Sequence, residues 1–289
     1  EGADIHITVT KPLSVASNGV LQKVTDLKNK WYTWHWKTNY NINPYNINFT
    51  VGNFEVVERI IPSLEKPLKT QFFVLGENRE GADKLLDHAE IYIDFFTRSF
   101  GQYPWLKEKL GIVNTPYLGM EHQTIIAYGN DYKYNDKGYD FLLFHELAHE
   151  WWGNYLSVSD WADFWIHEGF AIYSEALFVE EKHGLNEYNN FFKKNLLKKI
   201  PLNRPVVLDR NSTMKQIMGL DPYYKGAYVL HMLRYVVGDD YFFKIIDEFL
   251  HSKKQSPYNQ VSTSDFINIV NKTIDANIDW FFQVYLYEN

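Results

Sequence analysis

The run Phe141-Leu142-Leu143-Phe144-His145-Glu146-Leu147-Ala148-His149-Glu150 constrains this chain more than any other segment. It is apolar enough for a buried helix, yet it carries two histidines and two glutamates. Burying such groups is costly unless something compensates them, and metal ligation does so directly. Positions four apart on a helix differ by about 40° of rotation and about 6 Å of rise, so His145 and His149 can meet one ion. Glu146 flanks the same face, where it can hold a water beside that ion. A third ligand is at hand in Trp165-Ile166-His167-Glu168-Gly169, with eighteen residues between His149 and Glu168. Two imidazoles and one carboxylate, with a fourth position open, make the donor set of a catalytic zinc site rather than a structural one.

The chain has 289 residues, enough for a large core in one or two domains. Apolar residues make up 45% and charged residues 22%, as in ordinary globular proteins. The 17% of aromatics reads as an aromatic-rich core. A net charge of −7 argues against a nucleic-acid surface. No apolar run approaches the length needed to span a bilayer. There is no cysteine, which excludes disulfides, thiolate ligands and a cysteine nucleophile. Residue 1 is Glu, so the chain is expected to be processed, excised or truncated. The sequons at Asn48, Asn211 and Asn271 bear on compartment only in a glycosylating source; the compartment stays open, leaning extracytoplasmic.

The first seventy or so residues read as strands: Ile5 to Val9, Lys30 to Lys37, Asn46 to Val51, Phe54 to Ile60 and Thr70 to Leu75, with a turn at Asn18-Gly19. No chemistry of their own is evident in them. His35, among tryptophans, reads as packing. From Ala82 to Phe100 the period becomes helical, with Leu85, Leu86, Ala89, Ile93 and Phe96 on one side and Gly101 as the stop. Leu110 to Tyr128 is extended again. The metal helix is expected from about Tyr139 to Tyr155, and the Glu168 helix to about Lys182, before Gly184. Further helices are expected at Glu187–Lys199, Lys225–Val237, Tyr241–His251 and Ser264–Thr273, the last capped near Ser264-Asp265. Strands first and helices after imply an α+β fold.

Zinc in such a set stays Lewis acidic and lowers the pKa of water towards about 7; Glu146 can then act as general base and return the proton to a leaving amine. Glu175, two turns after Glu168, is placed to orient a ligating imidazole, His149 being the one expected, or else is an exposed helical glutamate. His167 points about 100° away from Glu168 and is read as non-ligating. His231, in an apolar helix, reads as core or surface, and His6, His88, His183 and His251 have no partners in sequence.

Three further segments extend the pattern: Gly119-Met120-Glu121-His122, Trp165 to Gly169, and Tyr223-Tyr224-Lys225-Gly226. With the His-Glu-x-x-His run, in this order and spacing, the chain resembles the zinc aminopeptidases related to aminopeptidase N and leukotriene hydrolase, the gluzincin metallopeptidases. The resemblance covers essentially the whole chain. It implies a thermolysin-like zinc catalytic domain over 67–289, preceded at 1–66 by the trailing strands of an N-terminal all-β domain. It implies one zinc ion on His145, His149 and Glu168. It implies that Glu121, with Gly119 and Met120, binds the free α-amino group of a peptide. It implies that Tyr223 donates to the oxyanion, with Tyr224 as the alternative.

Two departures stand out. His122 occupies a place where the family has Asn. Relatives also begin with a longer β domain, end with a further one, and take a glutamine or glutamate for amine recognition from that first domain. Only 120 residues precede Glu121, and none is identified for that role. The flanking domains are therefore expected to be missing. The rival readings are a zinc endopeptidase, against which Glu121 argues, and a zinc-bearing domain inactive without its neighbours.

Overall fold

A computed structural model of the chain describes residues 2–76, 79–196, 204–218, 221–253 and 259–288. The fold is α+β, and the chain divides into two compact units, Glu1–Glu150 and Trp151–Asn289.

In the first unit, β1 (Asp4–Thr10), β2 (Ser14–Ser17), β3 (Val20–Asp26), β4 (Trp31–Lys37) and β5 (Phe49–Gly52) come first. β4 lies between β1 and β3, antiparallel to both, while β2 pairs with β5. Next come β6 (Phe54–Ile61), β7 (Leu68–Leu75), α1 (Arg79–Phe100), β8 (Leu110–Asn114), β9 (Gly119–Met120), β10 (Ile126–Tyr128) and α2 (Phe141–Ala148). The predicted extended stretch from Leu110 to Tyr128 is thus three short strands rather than one run. They join a five-stranded sheet ordered β6-β7-β8-β10-β9, parallel at its centre and antiparallel at both edges. Side chains from the early strands meet this sheet in one core: Ile5, Val9, Val15, Ala16 and Trp36 cluster with Phe73, Val113 and Ile125. α1 buries the face its period foretold, Leu85, Leu86, Ala89, Ile93 and Phe96, together with Ala82. Phe144 of α2 packs on Tyr92, Phe95 and Phe96 of α1.

Two contacts fix α2. At its start Asp140 is the N-cap, accepting from Leu143 N at 3.0 Å and from the Tyr128 hydroxyl at 2.5 Å. At its end the predicted continuation to Tyr155 fails, because α2 stops at Ala148 with His149 as its C-cap. The buried Glu150 carboxylate instead accepts from Tyr103 Oη at 3.1 Å, Trp105 Nε1 at 2.7 Å and Thr124 N at 2.9 Å. Gly153, at φ 133°, lies outside any helical region.

The second unit contains β11 (Ser157–Val158), α3 (Trp165–His183), α4 (Leu185–Asn190), α5 (Met214–Ile217), α6 (Tyr224–Val237), α7 (Asp239–Leu250), β12 (Gln260–Val261), α8 (Thr263–Ile274) and α9 (Asp279–Phe282). α3 begins at Trp165, is buried continuously to Val179, and ends at Gly184 as foreseen. The helix predicted over Glu187–Lys199 is α4 followed by a π-helical turn, Phe191–Leu196; residues 197–199 lie outside the described residues. The cap of α8 is Ser262 rather than Ser264, in a reciprocal pair with Asp265. Asp163 is fully buried and holds the start of α8, accepting from Thr263 N at 3.1 Å and Thr263 Oγ1 at 2.6 Å. Among the described residues, no helix is long and apolar enough to cross a membrane.

Candidate active site

Capping of α2 by Asp140 sets its rotational register, and so sets where His145, Glu146 and His149 face. The two imidazoles stand at 89° to each other with their Nε2 atoms 3.2 Å apart. Two nitrogens bound to one tetrahedral zinc at about 2.05 Å would lie about 3.3 Å apart. The spacing of the pair therefore fits a shared ion. The donor set, two neutral-nitrogen ligands with carboxylates at hand, is one zinc favours.

Glu146 is buried, and its carboxylate lies against the α-carbon of Gly119. A Cβ at position 119 would come within 2.4 Å of Glu146 Oε1 and 2.6 Å of Leu142 Cδ1. Gly119 thus makes room for the carboxylate, a packing role distinct from the amine-binding one that the resemblance implies. Burial first, and the Glu146 carboxylate second, push the Tyr117 phenol up.

Glu121 is also buried, in the loop between β9 and β10. One donor atom each from Glu121, Glu146 and His149 lie within 4.8 Å of one another. Two carboxylates so close make an anionic corner suited to an ammonium group. Tyr45 donates to Glu121 Oε1 at 3.2 Å across 76 positions of sequence. Local pattern gives no sign of this contact, which comes from the short turn Pro44–Asn46 between β4 and β5. Asn18 Nδ2 donates to Gln123 O at 2.6 Å, and Gly19 N donates to Thr124 Oγ1 at 2.9 Å. Lys109 is buried and donates to Ser17 O, Gly19 O and Thr124 O at 2.8, 2.8 and 3.0 Å. Burial pushes its ammonium down to about 7, against the pull of Glu108 and Glu150. The Glu121 loop is therefore tied on both flanks to the early strands. Next to Glu121, burial pushes the His122 imidazole down to about 4.

In the second unit, Glu168 lies buried in the first turn of α3, and Glu175, two turns on, is buried too rather than exposed. His167 Nε2 accepts from Val158 N at 3.1 Å. The motif glycines have a packing reason. A Cβ on Gly169 would lie 2.9 Å from the Gly226 carbonyl carbon, so α3 and α6 cross where neither has a side chain. Glu168 precedes one of these glycines, and Tyr223, the N-cap of α6, precedes the other by three residues. The Tyr223 hydroxyl has a weak 3.9 Å contact with Met218 Sδ, and Tyr224 N donates to Asp221 Oδ1 at 2.7 Å. His231 packs, as expected: it stacks on Phe192 at 4.2 Å, bonds Tyr188 Oη at 2.9 Å, and is pushed down to about 4 by burial.

Comparison with known proteins adds to this geometry. The peptidase family M1 domain model matches residues 85–285. Endoplasmic reticulum aminopeptidase 1 of Mus musculus is 26% identical over 254 residues, covering 81% of this chain and 26% of that protein. Glutamyl aminopeptidase of Sus scrofa is 25% identical over 283 residues, covering 91% of this chain and 29% of that protein. The chain thus spans about a quarter of the length of the curated relatives it matches. Its fold is that of an M1 zinc metallopeptidase from Deinococcus radiodurans, with a TM-score of 0.76 at 23% identity over 98% of this chain and 62% of that one. It is also that of Legionella pneumophila aminopeptidase A in complex with aspartic acid, with a TM-score of 0.83 at 17% identity over 99% of this chain and 34% of that one. A family match over well more than half its length establishes that the chain belongs to peptidase family M1.

Proposed function

We propose that this chain bears the catalytic site of a zinc aminopeptidase, with His145, His149 and Glu168 as ligands of one ion. The observation that carries the reading is the 3.2 Å approach of the two perpendicular imidazoles. Bound zinc would supply Lewis acidity toward a peptide carbonyl and toward water. Glu146 takes a proton from the attacking water and hands it to the leaving amine. Tyr223 gives up its weak sulfur contact and donates to the developing oxyanion, with Tyr224 as the alternative. Glu121 receives the substrate's α-ammonium group, and Gly119 and Met120 flank it on the edge strand. Glu175 accepts a hydrogen bond from the far nitrogen of His149 and holds that ring in place.

The substrates are peptides with a free N-terminus. An unblocked amine is what the anionic corner selects, and this separates the reading from an endopeptidase. Residues 1–66 are read as the end of a β domain and 67–289 as the catalytic domain, with further domains of the same protein completing it. An extracytoplasmic setting draws support from relatives named for the endoplasmic reticulum. The test is hydrolysis of an aminoacyl chromogenic amide by the zinc-loaded protein. Activity on the free amine that vanishes on N-acetylation supports the proposal. Equal turnover of both forms, or cleavage of internal bonds in casein, overturns it.

A further inference from the structure

We propose that Asp4, His6 and His35 form a second divalent-metal site on the solvent face of the β1–β4 ladder. His6 and His35 are directly opposite in the antiparallel register. Opposed residues hold their Cβ atoms about 4.5–5.5 Å apart. The rings stack at 4.0 Å with 15° between their planes. Asp4 is two residues before His6, so it faces the same way, and its Oδ1 lies 2.7 Å from His35 Nε2. One donor atom from each of the three residues lies within 4.8 Å of the others.

The pleat sends Trp36 into the core and leaves His35 half-buried and stacked on His6, packed as its sequence context suggested. The simpler account of the cluster is an ion pair, since Lys37 Nζ lies 3.5 Å from Asp4 Oδ2. That account gives the second imidazole no role. Two imidazoles and one carboxylate instead match the ligand preferences of Zn2+, Cu2+ and Ni2+, whereas Ca2+ and Mg2+ favour all-oxygen sets. The backbone is already ordered, since the intervening Ile5 and the neighbouring Trp36 are buried. His6 is exposed and His35 half-buried, so binding an ion requires the stacked rings to rotate about their Cβ–Cγ bonds, which leaves the buried backbone neighbours in place. Lys37 then swings into solvent. With three protein ligands at a surface the ion is exchangeable, and it ties β1 to β4.

The test is equilibrium dialysis of the whole chain against Zn2+, followed by metal analysis, comparing wild type with the double substitution His6→Ala and His35→Gln. The wild type should hold one more equivalent at the same free zinc, and the thermal stabilisation by added zinc should shrink in the double variant. Hydrolysis of an aminoacyl amide should be unchanged between them. The difference between the two proteins is what is read, so the result stands whether or not the α2 histidines bind zinc. Equal zinc content overturns the proposal. Asp4→Asn, at an exposed position, keeps both rings and should weaken the extra equivalent about tenfold. Unchanged affinity there overturns the three-ligand site.

Discussion

Gly119→Ala isolates the position of the Glu146 carboxylate from everything else. The new Cβ would stand 2.4 Å from Glu146 Oε1, where ordinary contact begins at 3.4 Å, so one of the two must move by about 1 Å. The edge-strand backbone at residue 119 is not in a left-handed conformation, so alanine itself is tolerated there. The atom met first is the free end of a side chain, and a turned glutamate rotamer costs about 0.5–1.5 kcal/mol. Leu142 Cδ1, at 2.6 Å, adds overpacking, which brings the total loss of stability to about 1–3 kcal/mol. The effect on the reaction should be larger, because a 1 Å misplacement of a catalytic group lowers turnover by about 10²-fold. That is about 2.7 kcal/mol in the barrier, against a fold that stays intact. The assay is kcat and KM on an aminoacyl chromogenic amide, with zinc content and a melting curve measured on the same sample. The expected variant melts cooperatively, carries wild-type zinc and is about a hundredfold slower in kcat. A kcat within threefold of wild type would refute the reasoning that Gly119 exists to seat Glu146.

Four other outcomes are expected. Glu146→Gln should keep its zinc and lose several orders of magnitude in kcat; retained turnover would remove the general base. Tyr45→Phe deletes one hydrogen bond to a buried carboxylate, about 1.5 kcal/mol, and should raise KM for free-amine substrates about tenfold; an unchanged KM would show that the 3.2 Å contact does not position Glu121. His122 has its folded pKa depressed from 6.5 to about 4, so its contribution is fully present above 6.5 and is lost as pH falls through that window, up to about 3 kcal/mol. His122→Asn should therefore narrow the difference in unfolding free energy between pH 7 and pH 4.5, and identical pH slopes would refute this. Removal of residues 1–66 should abolish cooperative unfolding, because β6 and the partners of the Glu121 loop go with them; a cooperatively melting 67–289 piece would show otherwise.

What was legible in the sequence was what lies within one element. His145, Glu146 and His149 belong to a single turn and a half of helix, so their spacing alone encodes a shared direction. The buried face of α1 followed from its period, and the end of α3 from Gly184. What was hidden depends on groups far apart in the chain. α2 stops before Tyr155 because Glu150 is claimed by Tyr103 and Trp105, 47 and 45 positions away. The pairing of His6 with His35 required a register that no local pattern states.

The early strands show why this division matters for function. By composition they were scaffold, and their residues carry no motif. Yet they share one core with the central sheet through Trp36 and Phe73, and their turns hold Gln123 and Thr124 while Tyr45 reaches Glu121. An amine-binding carboxylate on a free loop would sample many positions and select weakly, because each immobilised side chain gives up about 0.5–1.5 kcal/mol on binding. Tying the loop at Asn18, Gly19, Tyr45 and Lys109 settles that ordering during folding, before any substrate arrives. The selectivity proposed for Glu121 is therefore a property of the strands that precede it as much as of the segment that bears it.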